Sequence, residues 1–219
     1  MVNILCVKWG IAFDSDYVNK LYSMVSRHFH HTFTFYCFTD DPIGLNKDII
    51  PIELNDEGWI KWWTKITQFN HQVTKNNLNI FFDLDVIIRD DISDLINEET
   101  EYLTIIENHW TDPIKNLKGL EQNLSCDINS SIMIWRYNQS IQQIYDFFSN
   151  NKHTFMKDYK GIDKVLYYYE FDEVNFNTIS DKWVYSYHHG KDENQPIVIF
   201  NQGNKQKDIN DKKLLELWN

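Results

Sequence analysis

Basic residues are outnumbered, prolines and glycines are few, and no apolar run is long. The chain of 219 residues carries 21 Lys and Arg against 32 Asp and Glu, a net charge of −11. A surface of that sign does not gather phosphate backbones, so no nucleic-acid partner is expected. No apolar stretch approaches the ~18 residues of a spanning helix, which excludes a transmembrane segment. Met1 to Val7 has neither a basic leader region nor a cleavage-like site and reads as a first strand, giving the expectation of a cytoplasmic protein. There are 3 cysteines, Cys6, Cys37 and Cys126, with no Cys-x-x-Cys among them. That spacing speaks against zinc and redox motifs, and the odd number argues against a secreted disulfide framework. The 4 prolines and 7 glycines nowhere gather into a linker, and there is no internal repeat.

What is present suits one globular unit spanning 1–219. Hydrophobic residues make up 42% and charged residues 24%, enough for a full core without staples. Aromatic residues reach 16%; packing accounts for most, and a sugar-stacking surface could account for a few. Short apolar runs at 2–9, 33–38, 49–54, 78–82, 102–106, 128–135, 183–187 and 196–200 read as strands. Helical spacing follows the Asp14-Ser15-Asp16 caps and recurs at 59–69, 139–148, 158–169 and 208–218. In the 59–69 stretch it puts Ile60, Trp63, Ile66 and Trp62 on one face. Thr111 to Asn123 is the most loop-like internal stretch. Strands alternating with helices over the first ~90 residues predict an α/β fold, a mainly parallel sheet flanked by helices. Such sheets bind ligands beyond the carboxyl ends of their strands.

One acidic triplet lies at such an end. Leu78-Asn79-Ile80-Phe81-Phe82 runs directly into Asp83-Leu84-Asp85, and Val86-Ile87-Ile88 follows. Carboxylates at i and i+2 of an extended chain point to one side and can share a cation. Acids set between core segments cost free energy unless paired, hydrated or metal-bound. Mn²⁺ or Mg²⁺, which take oxygen ligands and leave positions for phosphate oxygens, suit them. The alternative is a solvated strand end. Phe81-Phe82-Asp83-Leu84-Asp85 also looks like the first motif of haloacid-dehalogenase phosphatases, with Asp83 as nucleophile and Asp85 as general acid. Against that stand Val86-Ile87 where Gly-Thr is usual, several elements preceding the motif, and no convincing downstream acidic pair.

In this order the segments resemble a GT-A-fold glycosyltransferase of the glycogenin and bacterial galactosyltransferase type. The resemblance is carried by Ile4 to Gly10 with Tyr17 to Tyr22, Phe38-Thr39-Asp40-Asp41, Gly58 with Trp62-Trp63-Thr64-Lys65, Phe82 to Val86, and Asn129 to Trp135. It implies a Rossmann-like fold with a nucleotide-binding half at 1–90 and a donor-sugar and acceptor half at 91–219. It also implies transfer of a hexose from a nucleoside-diphosphate sugar, a UDP-sugar, to a glycan or other hydroxyl acceptor. Asp83 and Asp85 would hold the metal, Asp83 also the ribose, and Val7, Lys8 and Tyr17 would meet the nucleotide. Lys65 and Lys205 would reach the diphosphate, Asn129 the donor sugar, and Asp163, after Gly161-Ile162, the sugar or acceptor as the catalytic carboxylate. Relatives place a metal-binding His after the last strand; here Asn201 stands in that place and offers an amide oxygen. That departure leaves open a non-catalytic relative acting as a binding module. His188-His189 and the His28, His30, His31 group read as surface or packing residues, and Glu107, His109 and Trp110 as loop residues on the acceptor side.

Overall fold

The computed structural model describes residues 1–54, 57–108, 126–169, 174–188, 194–200 and 211–218. Ten strands carry the described fold: β1 Val2–Lys8, β2 Phe33–Thr39, β3 Ile49–Glu53, β4 Leu78–Phe82, β5 Val86–Ile88, β6 Leu103–Glu107, β7 Ile128–Arg136, β8 Phe176–Ile179, β9 Val184–Ser186 and β10 Ile197–Ile199. The helices are α1 Ser15–His28, α2 Gln139–Asn150, α3 Lys152–Asp158, α4 Ile162–Tyr168 and α5 Lys212–Trp218. A seven-stranded sheet runs β3-β2-β1-β4-β7-β6-β8, and a three-stranded sheet runs β5-β10-β9. In the large sheet β7 alone is antiparallel to its neighbours, so the mainly parallel expectation holds.

Alternation along β1 and β4 divides the core in two. Ile4, Cys6, Ile80 and Phe82 face α1, whose Val18, Leu21, Met24 and Val25 cover them. Leu5 and Phe81 face the opposite layer, with Trp63, Ile66, Phe69 and Trp135. Helix α1 begins where the sequence offers a cap: Asp14 accepts a hydrogen bond from the Asp16 N–H at 3.1 Å. Asp14→Ala is expected to lower unfolding stability by about 1 kcal/mol, seen as a lower urea midpoint at constant m-value.

Three stretches differ from the sequence reading. The expected helix at 59–69 is a 3₁₀ helix over Lys61–Asn70. Thr64 and Thr67 donate their hydroxyls to the carbonyls of Lys61 and Thr64, at 2.6 and 2.8 Å, and so tighten the turn. With three residues per turn, side chains at i and i+3 eclipse. Trp63, Ile66 and Phe69 form the buried row, and Trp62 lies on another row with Lys65, not on the face predicted for it. The expected helix at 158–169 begins only at Ile162, after Gly161 with φ 119°, a conformation that favours glycine, and α3 before it was not predicted. Strand β8, on the far edge, carries no apolar run in FNTI and was not predicted.

Candidate functional site

β1 and β4 lie side by side and end at the same rim of the sheet. A cavity of about 530 Å³ opens there. Its walls are Val7, Trp9 and Ile11 to Phe13 after β1, Lys61, Trp62, Thr64 and Lys65 from the 3₁₀ helix, and Asp83, Leu84 and Asp85 after β4. The Gly10 N–H donates to the Asp40 carboxylate at 2.9 Å and anchors the β1–α1 loop across the rim.

The triplet is a turn, not the extended chain its spacing suggested, and it crosses between sheets. The Asp83 N–H donates to the Ser131 carbonyl of β7 at 2.8 Å, while the Asp85 carbonyl accepts from the Phe200 N–H after β10 at 3.0 Å. Leu84 is buried, and both flanking acids line the cavity.

Lys65 is the central cation. Its ammonium donates to Asp83 Oδ2 at 2.7 Å, to Ser130 Oγ at 3.2 Å and to the Ser130 carbonyl at 3.3 Å. Asp163, in the first turn of α4, accepts from the Ser130 N–H at 3.0 Å. A bulge makes this convergence possible. Ile105 pairs with Met133 while Ile106 pairs with Asn129, so residues 130–132 of β7 have no partners on β6. Ser130 is thereby released from the ladder and turned to Lys65 and Asp163. Asn129 staples the bulge: its Oδ1 accepts from the Ser131 N–H at 2.8 Å.

Charge around Lys65 is unbalanced. Asp83, Asp85 and Asp163 are three carboxyls around one ammonium. Burial first, then the like charge of Asp83, pushes the Asp85 carboxyl up to about 7, with Lys65 pulling the other way. Burial likewise raises Asp163, again opposed by Lys65. Asp85 Oδ1 is shielded from solvent and has no hydrogen-bond partner among the described residues. Excess negative charge, hard oxygen donors and an orphaned carboxylate oxygen fit a divalent cation such as Mn²⁺ or Mg²⁺. Among the described residues no group of three or more His, Cys, Asp or Glu comes together as a metal cage, so Asp83 and Asp85 are the residues there that would hold such a cation.

Other predicted residues are placed differently. Val7 lines the cavity. Lys8, its neighbour on β1, is buried and reaches the Asp41 carbonyl at 3.1 Å, pinning the turn after β2. Alternation along the strand sends it away from Val7. Tyr17 packs in the core between Phe13 and Trp218 and backs the cavity wall one layer behind Phe13. His188 packs on Tyr187 and Phe200, and His30 lies 3.9 Å from Asp91 at the surface, as the packing and surface readings expected. Glu107 ends β6, exposed. Asn201, Lys205, His109, Trp110, His189 and the stretch Thr111 to Asn123 lie outside the described residues. Ser130 was named only within the resembling segment, without a role. Its tie to Lys65 needs the bulge, which leaves no mark in a run of Ser and Ile. Ile11 to Phe13 were missed as wall residues, although their place after β1 points to the rim.

No family model matches the chain, and no curated protein matches it. Solved structures do. The galactosyltransferase LgtC, in complex with donor and acceptor sugar analogues, is similar with a TM-score of 0.67 at 12% identity, over 99% of this chain and 95% of that one. An active-site mutant of LgtC gives a TM-score of 0.67 at 12% identity, over 98% and 94%. Likeness at this identity over nearly the whole of both chains shows the fold: the chain has the GT-A fold that its sequence segments resemble.

Proposed function

We propose that the chain transfers a hexose from a nucleoside-diphosphate sugar, a UDP-sugar, to a hydroxyl acceptor, assisted by Mn²⁺ or Mg²⁺. The observation that carries this reading is the cluster of Asp83, Asp85 and Asp163 around the buried ammonium of Lys65, at the rim where sheets of this kind bind ligands. Such a site repels a diphosphate by itself and accepts one together with a cation. Asp83 and Asp85 would hold the cation. When bound, it offsets the charge that develops on the departing diphosphate. Val7 and Phe13 line the wall for the base and ribose. Lys65, tied to Asp83 and Ser130, would meet the diphosphate, and Asp163, fixed by the Ser130 N–H, would contact the sugar or acceptor. The galactosyltransferase that shares the fold has been seen with donor and acceptor sugar analogues, which favours this donor and acceptor chemistry.

Ligand that binds only the folded protein stabilises it by about 2.7 kcal/mol at a hundredfold excess over Kd. For a chain this long that corresponds to about 5–10 °C in Tm. UDP with Mn²⁺ is therefore expected to raise Tm by that amount, with UDP alone giving a small fraction of it. Thermal unfolding with a panel of nucleotides and both metals reads this out. A flat response across the panel sinks the proposal. Metal-dependent hydrolysis of a generic phosphate ester, with an aspartyl adduct at Asp83, would replace it by the phosphatase reading.

A further inference from the structure

Three tryptophans stand in five residues, and two of them are core. Trp59 and Trp63 are 6% and 3% exposed, whereas Trp62 is 48% exposed. Fully burying a large apolar side chain is worth roughly 2–3 kcal/mol, and an aromatic ring carries an especially large area. Trp62 leaves much of that unrealised. Single exposed apolar residues are common on protein surfaces. Trp62 differs from Ile43 or Ile50 in its position, at the wall of the cavity that holds Lys65, Asp83 and Asp85.

The ring is also set there by its neighbours. It sits one 3₁₀ turn before Lys65 on the same eclipsed row. Lys61, just before it, has φ 55°, uncommon for a residue with a side chain, and it turns the chain into the helix. On its other side the indole lies against Gly161, where a Cβ would stand 3.8 Å from Cδ1 and 3.9 Å from Nε1. Gly161 leads into α4 and Asp163. The exposed ring therefore lines the cavity of Lys65, Asp83 and Asp85 and lies beside the glycine that leads into the segment carrying Asp163.

We infer that Trp62 is the stacking platform for the pyranose ring of a carbohydrate acceptor. One face of a pyranose presents C–H groups, which are apolar and slightly positive at hydrogen, and the face of an indole is apolar and slightly negative. A half-exposed indole beside a largely apolar cavity that carries the Asp83 and Asp85 carboxyls, with the Lys61 ammonium 5.7 Å from its ring centroid, suits a molecule with one apolar face and a hydroxyl-rich rim. This deepens the donor-site reading and rests on it: the diphosphate takes the Lys65, Asp83 and Asp85 side, and Trp62 takes what lies beyond the transferred sugar.

The test uses the full chain labelled with 5-fluorotryptophan. The Trp62 resonance is assigned by its loss in Trp62→Phe. Lactose, maltose and methyl β-D-glucopyranoside are titrated with and without UDP and Mn²⁺. At least one saccharide is expected to shift the Trp62 resonance, and Trp62→Ala is expected to weaken that saccharide's binding tenfold or more by calorimetry. The affinity for UDP with Mn²⁺ should change less than threefold in the same variant. If no saccharide moves the Trp62 signal, or Trp62→Ala binds it unchanged, the platform is overturned even where UDP binds normally. Saccharide binding at Trp62 with no UDP binding overturns the donor reading and leaves the platform standing.

Discussion

Asp85→Asn is expected to abolish metal-dependent nucleotide binding and to make the ligand-free protein more stable. Both effects come from one cause. The Asp85 carboxyl is shielded, stands beside Asp83, and has an oxygen without a partner, so that its charge is held at a cost, with a titration raised to about 7. A group with a raised acid pKa binds its proton more tightly folded than unfolded. Stability therefore falls as pH rises from about 4 to about 7, and the loss is complete above that range. The amide has nearly the same shape and no charge to lose. The variant should match the parent near pH 4 and exceed it at pH 8. One pKa unit corresponds to about 1.4 kcal/mol, and partial solvent access reduces what is realised, so a gain of about 1–2 kcal/mol is expected. Urea titrations at both pH values measure it. In the same variant the loss of ligand charge should weaken cation affinity by about a hundredfold or more. Metal-dependent UDP binding that survives Asp85→Asn would move the site elsewhere.

Lys65→Met should act in the opposite sense. Methionine keeps most of the unbranched apolar stem and removes the ammonium that serves Asp83, Ser130 and, at longer range, Asp163 and Asp85. Removing one partner of a buried pair costs about 3–5 kcal/mol, because the other charge is left uncompensated. Asp83 keeps 23% of its side chain in solvent, so a loss of about 2–3 kcal/mol is expected at pH 8. The loss should shrink at pH 5, where the raised carboxyls take up protons instead. Donor binding should also fail in this variant, since the cluster loses its only buried cation among the described residues. A stability loss equal at both pH values would mean that Lys65 acts through packing and not through charge.

How much of this could be read from residues alone varied with the physics that sets each part. The apolar run before Asp83 and the Asp14 cap speak through local chemistry, and both were legible. So was the convergence of Asp83 and Asp85 on one rim, although the turn that achieves it was not. Lys65 and Asp163 were named as candidates through resemblance, not through any spacing in the chain. They lie 98 positions apart in sequence and are joined only by the bulge at Ser130. The 3₁₀ winding of Lys61–Asn70 was illegible for a different reason. The apolar spacing of three at Trp63, Ile66 and Phe69 suits either winding, and the threonine hydroxyls that decide between them look like ordinary surface groups. Lys8 and Tyr17, expected at the nucleotide, do not line the cavity, because nearness to a rim in sequence does not say which way a side chain turns.

The Asp83-Leu84-Asp85 turn is also a mechanical joint. One of its acids has its peptide fastened to the large sheet through Ser131, and the other to the small sheet through Phe200. The gap between the two carboxylates is therefore a measure of how the sheets are seated against each other. An ion gripped by both would rivet them together. Conversely, substitutions within the small sheet, at the paired Val86 and Ile199, would work as levers on ion affinity without touching the ion.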